Sequence, residues 1–136
     1  SLPDRNNTLI AGSSMGGLIS VYAMAEYPAV FGAAAGVSTH WPLFFNNDHP
    51  GPAEKLRDYL RDHFPAAGQH RVYFDFGTAT LDQYYEIHQH RVDSIMRHKG
   101  YKQGRDWVTR KFPDAEHNEQ AWQARVDIIL KFLLKP

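Results

Sequence analysis

The chain has 136 residues, of which 43% are hydrophobic and 22% charged, so it is long enough for one globular domain with an apolar core. Its 15 basic and 15 acidic residues balance, which gives no electrostatic argument for a nucleic-acid or anionic-membrane partner. The absence of cysteine excludes disulfides, thiolate metal sites and a cysteine nucleophile, and no apolar stretch is long enough to span a bilayer.

The first five residues, Ser-Leu-Pro-Asp-Arg, contain neither an initiator methionine nor a signal-peptide pattern. We therefore expect this sequence to begin within a longer gene product.

The first half of the chain alternates short apolar runs with longer amphipathic stretches. Residues 8–11 form a continuous apolar run, which predicts a strand buried on both faces, and a helical period follows over residues 16–27. Segment 30–37 predicts a second buried strand, whose small residues would let a helix pack closely. A loop rich in proline, asparagine and aromatic residues spans 40–51, and a helix with proline in its first turn is predicted at 52–63.

The second half repeats this alternation of strands and helices. Aromatic and β-branched residues predict strands at 71–76 and 107–112. After the first of these strands, a loop is predicted at 77–82 and a helix at 84–99. After the second, a loop is predicted at 113–118 and a helix at 119–134.

Strands and helices that alternate at this spacing indicate parallel β-α-β units with helices on both faces of one sheet. We therefore expect an α/β fold in which residues 1–136 form a single partial domain with about four mostly parallel strands. In such sheets, binding and catalytic groups lie in loops beyond the carboxyl ends of the strands.

Positions 12–16 read Gly-Ser-Ser-Met-Gly, which matches the G-x-S-x-G nucleophile elbow. In that motif the nucleophile, here Ser14, occupies a strained turn between a strand and a helix, so the residues two before and two after it must be small. The predicted strand before the motif and the helix after it supply this context. The helix dipole and the backbone N–H of Met15 would then stabilise an oxyanion.

Other interpretations of the motif are weaker. A glycine- and serine-rich turn without chemistry would not require this strand-and-helix context. A phosphate-binding loop would end in Lys-Ser/Thr or show the spacing of a dinucleotide fingerprint, and neither is present. Ser13 also carries a hydroxyl, but it lies one position away from the strained site.

A serine nucleophile needs a base and an orienting acid, which follow it in this motif's fold in the order acid, then histidine. His117 lies in the loop after the fourth predicted strand, where the base is expected. Asp82, after the third strand, is the first candidate for the acid, followed by Asp75 within that strand and then Asp114. The remaining histidines, which we interpret as surface or core residues, are His40, His49, His63, His70, His88, His90 and His98.

Three segments together resemble the esterase-D-like esterases of the α/β-hydrolase superfamily. They are the Gly-x-Ser-Met-Gly-Gly elbow, the Tyr-Pro-x-x-Phe segment at 27–31 and the His-Asn-Glu-x-x-Trp segment at 117–122. The resemblance covers nearly the whole chain and implies Ser14 as nucleophile, Asp82 as acid and His117 as base.

The resemblance also implies that Ser38, His40 and Trp41, after the second strand, line the acyl or alcohol pocket. For Trp41, a loop anchor packed on the core is an equally good interpretation.

One departure from the resembled group affects activity and assembly. Its complete members carry several strands before the elbow, with a second oxyanion donor in a loop that this sequence does not contain. Loss of one such donor costs about 10²–10³ in rate. Without those strands, segment 8–11 would form an apolar sheet edge, so we expect a fragment that pairs into homodimers or aggregates.

These features predict a serine carboxylic-ester hydrolase that acts on a small-molecule or carbohydrate-linked ester through an acyl-enzyme. The chemistry requires no metal or organic cofactor. Three alternatives share the same residues: an acyltransferase of the same fold, a non-catalytic scaffold, and a fragment that is inert without the rest of its parent.

Overall fold

The computed structural model describes residues 4–135. Residues 1–3, on which part of the expectation about the start of the chain depends, lie outside the described residues. Across the described range, no helix combines the length and the apolar character needed to cross a membrane.

The core of the structure is one sheet of four parallel strands in the order β1-β2-β3-β4, as predicted for an α/β fold. The strands are β1 Leu9–Ser13, β2 Ala33–Val37, β3 Arg71–Gly77 and β4 Trp107–Phe112. The α-helices are α1 Met15–Glu26, α2 Pro50–His63, α3 Glu86–His98, α4 Glu119–Gln123 and α5 Val126–Leu133. Two short 3₁₀ helices cover Arg5–Asn7 and Thr80–Tyr84.

Helices cover both faces of the sheet, because alternate strand residues point to opposite sides. On one face, side chains of α1, α2 and α3 pack with Val72 and Phe74 of β3. On the other face, α5 packs on Tyr73 of β3 and on alanines of β2. The small residues of β2 permit close packing: a Cβ on Gly17 of α1 would lie 3.3 Å from the Cα of Gly36.

The second strand begins at Ala33, three residues later than predicted. The carbonyl of Tyr27 accepts hydrogen bonds from the N–H groups of Val30 and Phe31, so the chain turns there before it enters the sheet. An apolar run alone cannot distinguish such a turn from the start of a buried strand.

The predicted helix over 119–134 is divided into α4 and α5. Between them, Arg125 leaves the helical conformation with φ −123° and ψ 10°. Its side chain is only 3% exposed and is bound by buried acceptors, so a tertiary contact interrupts the helix here.

The segment predicted as a loop over 77–82 overlaps the 3₁₀ helix Thr80–Tyr84, and α3 starts at Glu86 rather than at 84. This short turn directs the side chain of Asp82 back toward the carboxyl end of β3, where it accepts a hydrogen bond from the Gly77 N–H.

Candidate active site

Ser14 lies at the sharp turn between β1 and α1. Its φ of 57° and ψ of −119° are strained for a residue with a side chain, and its N–H donates to the Val37 carbonyl at 2.9 Å. A Cβ on Gly12 would lie 2.3 Å from the Gly16 carbonyl oxygen, so only glycine fits two residues before the nucleophile.

The expected size restriction two residues after Ser14 differs from what the structure shows. Apart from its chain neighbours and the nearby backbone of its own helix, a Cβ on Gly16 would meet no atom of the described residues within 4 Å. The tight position is the next one, because a Cβ on Gly17 would lie 2.8 Å from the Thr39 hydroxyl oxygen.

Ser14, His117 and Asp82 form one hydrogen-bonded chain at the carboxyl ends of the strands. The Ser14 Oγ lies 2.9 Å from His117 Nε2, and His117 Nδ1 lies 2.6 Å from Asp82 Oδ1. These distances join residues that are 103 and 35 positions apart in sequence. If the Asp82 carboxylate is ionised it can only accept, so Nδ1 carries the proton and Nε2 is free to accept the Ser14 proton.

The other oxygen of Asp82 is also held firmly. Asp82 Oδ2 accepts from the Gly77 N–H at 2.6 Å and from the Ser38 hydroxyl at 2.5 Å. With His117, the carboxylate therefore has three hydrogen-bond partners in a buried position.

Two aromatic side chains from different parts of the chain pack against the His117 ring. The rings of Tyr85 and Trp122 meet it edge-on, with centroids at 5.6 and 5.1 Å and both interplanar angles at 85°. His40 lies beside this group, with its Nδ1 2.7 Å from the Tyr85 hydroxyl. Desolvation, followed by the charge of His117, lowers the pKa of His40, which favours a neutral ring there.

The two lower-ranked acid candidates lie elsewhere. Asp75 is buried and accepts from both Nε and Nη2 of Arg125, at 3.0 and 2.9 Å. Burial raises the pKa of Asp75, and the Arg125 guanidinium opposes that shift. The backbone N–H of Asp114 donates to the Thr78 hydroxyl in an exposed turn.

Met15 opens α1, and its backbone N–H has no protein acceptor among residues 4–135. It follows Ser14 directly at the helix N-terminus, where the partial positive charge of the helix is concentrated. This is the arrangement expected for an oxyanion donor.

The three residues expected to line a pocket have different surroundings. Ser38 is fully buried and donates to Asp82, and Trp41 is 2% exposed with its indole N–H bound to Gln89 Oε1 at 2.8 Å. Both side chains are enclosed by neighbouring protein atoms of the described residues. His40 is also buried and lies next to Tyr85, whose ring contacts His117.

The other histidines contact groups outside the hydrogen-bonded chain of Ser14, His117 and Asp82 where the structure gives them partners. His88, for example, lies 2.7 Å from the Asn47 side-chain oxygen, and desolvation together with Arg57 and Arg91 lowers its pKa to about 4. Within the described residues, no three histidine, aspartate or glutamate side chains are grouped closely enough to hold a metal ion.

Comparison with known proteins agrees with this architecture. The profile of the family described as "Putative esterase" matches residues 1–133. The chain belongs to this esterase family. No curated protein sequence gives a significant match to it.

Solved structures of esterases share the fold of this family member. An enterochelin esterase from Shigella flexneri is 20% identical with a TM-score of 0.71, over 99% of this chain and 32% of the other. An S-formylglutathione hydrolase from Staphylococcus aureus is 16% identical with a TM-score of 0.68, over 98% and 53%. A fluorophosphonate-binding serine hydrolase from S. aureus is 13% identical with a TM-score of 0.70, over 99% and 57%.

This chain therefore spans about a third of the enterochelin esterase and just over half of the two other structures. At these identities the likeness establishes the α/β-hydrolase fold, which confirms the predicted architecture.

Sequence patterns did not single out several groups at the site of this esterase-family chain. Tyr85 and Arg125 fall within predicted helices without a motif, and Trp122 enters only as the last residue of the 117–122 segment. Arg125 had a detectable signal, because it lies three residues after Trp122 and four before Ile129, on the apolar face of the predicted last helix. A charged residue at such a position is almost always paired.

Proposed function

We propose that this chain carries the catalytic triad of a serine carboxylic-ester hydrolase, with Ser14 as nucleophile, His117 as base and Asp82 as orienting acid. The observation that supports this most strongly is the unbroken chain of hydrogen bonds, 2.9 Å from Ser14 to His117 and 2.6 Å from His117 to Asp82. Family membership and the esterase fold support the same reaction class.

In the first step, Ser14 Oγ attacks the ester carbonyl while its proton passes to His117 Nε2. Asp82 holds the imidazole by its Nδ1–H and stabilises the cation that forms. The negative oxygen of the tetrahedral intermediate accepts from the Met15 N–H at the start of α1. His117 then returns the proton to the alcohol, which leaves as the C–O bond breaks, and the acyl group remains on Ser14.

In the second step, a water molecule gives a proton to His117 and attacks the acyl-enzyme carbonyl. Collapse of the second tetrahedral intermediate breaks the bond to Ser14 Oγ, which recovers the proton from His117. The products are the carboxylic acid and the free enzyme. The transfers between Ser14 and His117 use Nε2, which lies 2.9 Å from the Ser14 Oγ.

We propose a small-molecule ester with an apolar or aromatic substituent as the substrate. Phe45 is 81% exposed, and its ring centroid lies 6.3 Å from that of His40, which is hydrogen-bonded to Tyr85 beside the triad. An exposed phenyl ring at this place offers apolar contact area to a group attached to the ester.

Trapping of the acyl-enzyme tests this function. We expect p-nitrophenyl acetate to transfer an acetyl group to Ser14, detected as the added mass on its peptide after an acid quench. Ser14→Ala should abolish this modification. Ser13→Ala is the matched control because it removes the neighbouring hydroxyl, and it should retain acetylation. Acetylation that survives Ser14→Ala would contradict the proposal.

A further inference from the structure

A buried polar network lies behind the triad and is not required by the reaction steps above. It consists of Arg125, Asp75 and Ser38, all less than a tenth exposed, and it ends on Asp82. The guanidinium of Arg125 binds Asp75 through two hydrogen bonds and donates from Nη2 to the Ser38 hydroxyl at 2.8 Å. The Ser38 hydroxyl in turn contacts Asp82 Oδ2 at 2.5 Å.

The direction of these hydrogen bonds is determined by chemistry. An arginine can only donate, so the Ser38 oxygen must accept from it. The single proton of the Ser38 hydroxyl is then left for Asp82. Without Arg125, the hydroxyl could rotate and its proton could point elsewhere. Arg125 therefore selects the one orientation of Ser38 that supports the carboxylate.

The backbone of Ser38 is held for the same purpose. Its φ is 45°, in the left-handed region that disfavours a side chain, and its N–H donates to Asp75 Oδ1 at 3.0 Å. Asp75 thus fixes both the Ser38 backbone and the Arg125 guanidinium. The Tyr73 hydroxyl supplies a further donor to Asp75 Oδ2 at 2.7 Å.

We propose that Arg125 is a positioning residue of the triad: it orients the Asp82 carboxylate through the hydroxyl of Ser38, and Asp75 balances the positive charge of Arg125. This inference rests on the proposed function for its consequence in catalysis. Arg125 follows His117 by eight residues. It therefore ties the segment that carries the base to the ends of β2 and β3, where the acid is held.

The chain offers a matched control for a purely structural role of this arginine. Arg71 also joins β3 to the C-terminal helix, by donating to the carbonyls of Phe132 and Leu133 at 3.2 and 2.7 Å. Within the described residues, Arg71 makes no hydrogen bond to Ser14, His117, Asp82 or the buried network behind them. Arg71→Met removes arginine hydrogen bonds between β3 and the C-terminal helix without changing the surroundings of Asp82.

The rate of fluorophosphonate labelling of the 136-residue chain provides the first test. We expect Arg125→Met to slow labelling by roughly 10–100-fold and Ser38→Ala by roughly tenfold, because a loosened Asp82 no longer fixes the His117 ring. Arg71→Met should leave the rate within about twofold, since it is not coupled to the site. The proposal would be overturned if Arg125→Met were labelled as fast as the wild-type chain. It would also be overturned if Arg71→Met slowed labelling as much as Arg125→Met does.

The pH profile separates positioning from general loss of structure. Asp75→Asn leaves the Arg125 cation without its counter-charge, close to the site where His117 must accept a proton. The groups that face Asp75 are Arg125, Tyr73 and Ser38. A nearby uncompensated cation disfavours protonation, so the pH of half-maximal labelling should move down by about one unit. A profile that only drops in amplitude would contradict the charge-balancing part of the proposal.

A spectroscopic readout keeps the test independent of catalysis and of the proposed function. The proton between His117 Nδ1 and Asp82 should give a downfield NMR resonance that broadens in Ser38→Ala and Arg125→Met but not in Arg71→Met. Ser38→Ala removes a single atom and no charge, so it serves if Arg125→Met does not fold. If the unmodified chain is not labelled, the proposed function fails, while this resonance still decides whether Arg125 and Ser38 position Asp82. An unchanged resonance in Ser38→Ala would overturn the positioning role.

Discussion

At the scale of single residues, the elbow shows which glycines the turn requires. Gly12 has no room for a methyl group, because the backbone of Gly16 folds back against it, whereas Gly16 itself borders open space. The motif predicts a small residue at both positions, yet in the described chain the steric demand falls on Gly12 and on Gly17. The sequence motif alone does not reveal which of its glycines lies against neighbouring atoms.

This difference gives a prediction for a pair of substitutions. Gly12→Ala should destabilise the fold by about 1–3 kcal/mol and should slow fluorophosphonate labelling of Ser14, because the clash with the Gly16 carbonyl displaces the turn. Gly16→Ala should change the free energy of unfolding by less than about 0.5 kcal/mol. Urea denaturation of both variants checks the prediction. Equal losses would contradict it.

The hydrogen-bonded group of Ser14, His117 and Asp82 could be predicted from sequence because each of these residues follows a strand end that the apolar pattern locates. Ser14, Asp82 and His117 all lie just beyond the carboxyl ends of strands, and parallel strands bring these ends together. The roles of Arg125 and Ser38 could not be predicted, because they depend on hydrogen-bond partners 50 and 44 residues away in sequence. Only the unusual charge on an apolar helix face pointed to Arg125.

At the scale of elements, the loop between β2 and α2 has a buried part and an exposed part. Trp41 packs edge-on against Phe74 with ring centroids at 5.5 Å, and its N–H is bound to Gln89. Phe45, four residues later, extends into solvent. The aromatic composition of the loop predicts either core packing or substrate contact. Trp41 is buried in the core, whereas Phe45 is exposed and free to contact a ligand.

Two substitutions in this loop should therefore have opposite effects. Trp41→Phe should lower the free energy of unfolding by about 1–3 kcal/mol, because Gln89 Oε1 loses its buried donor, and should leave the labelling rate nearly unchanged. Phe45→Ala should leave stability unchanged but raise KM for an aryl ester. Thermal unfolding and steady-state kinetics measured on both variants distinguish the two roles. A large change in KM for Trp41→Phe without a loss of stability would contradict this assignment.

The division of the last helix is an element-scale feature that local propensity does not predict. Residues 119–134 have a continuous helical period, but the buried ion pair between Arg125 and Asp75 requires a different backbone at the junction of α4 and α5. Tertiary contacts overrode the local preference for a helix at this point.

At the scale of the whole molecule, the sheet has an unpaired edge. β1 is bonded to β2 on one side, and no other strand of the described residues lies on its second side. Beside this edge is a largely apolar groove of about 440 Å³, lined by residues that include Ala11, Val126 and Leu130. An exposed edge with apolar surroundings favours pairing with another chain.

We therefore predict that the chain self-associates through β1. Ala11→Lys should shift the monomer–dimer equilibrium toward monomer, because a charge on an edge strand opposes strand pairing. Ser94→Lys is the matched control, since it adds the same charge at an exposed position of α3. Sedimentation equilibrium over a range of concentrations measures both variants. Unchanged association of Ala11→Lys would show that another surface is responsible.

Covalent labelling with a fluorophosphonate tests most directly whether Ser14 is a nucleophile activated by His117. Peptide mapping by mass spectrometry should locate the adduct on Ser14, and His117→Ala should abolish it while His98→Ala, a change to an exposed histidine of α3, should not. An adduct on Ser13 or another residue, or labelling of Ser14 that persists in His117→Ala, would contradict the account.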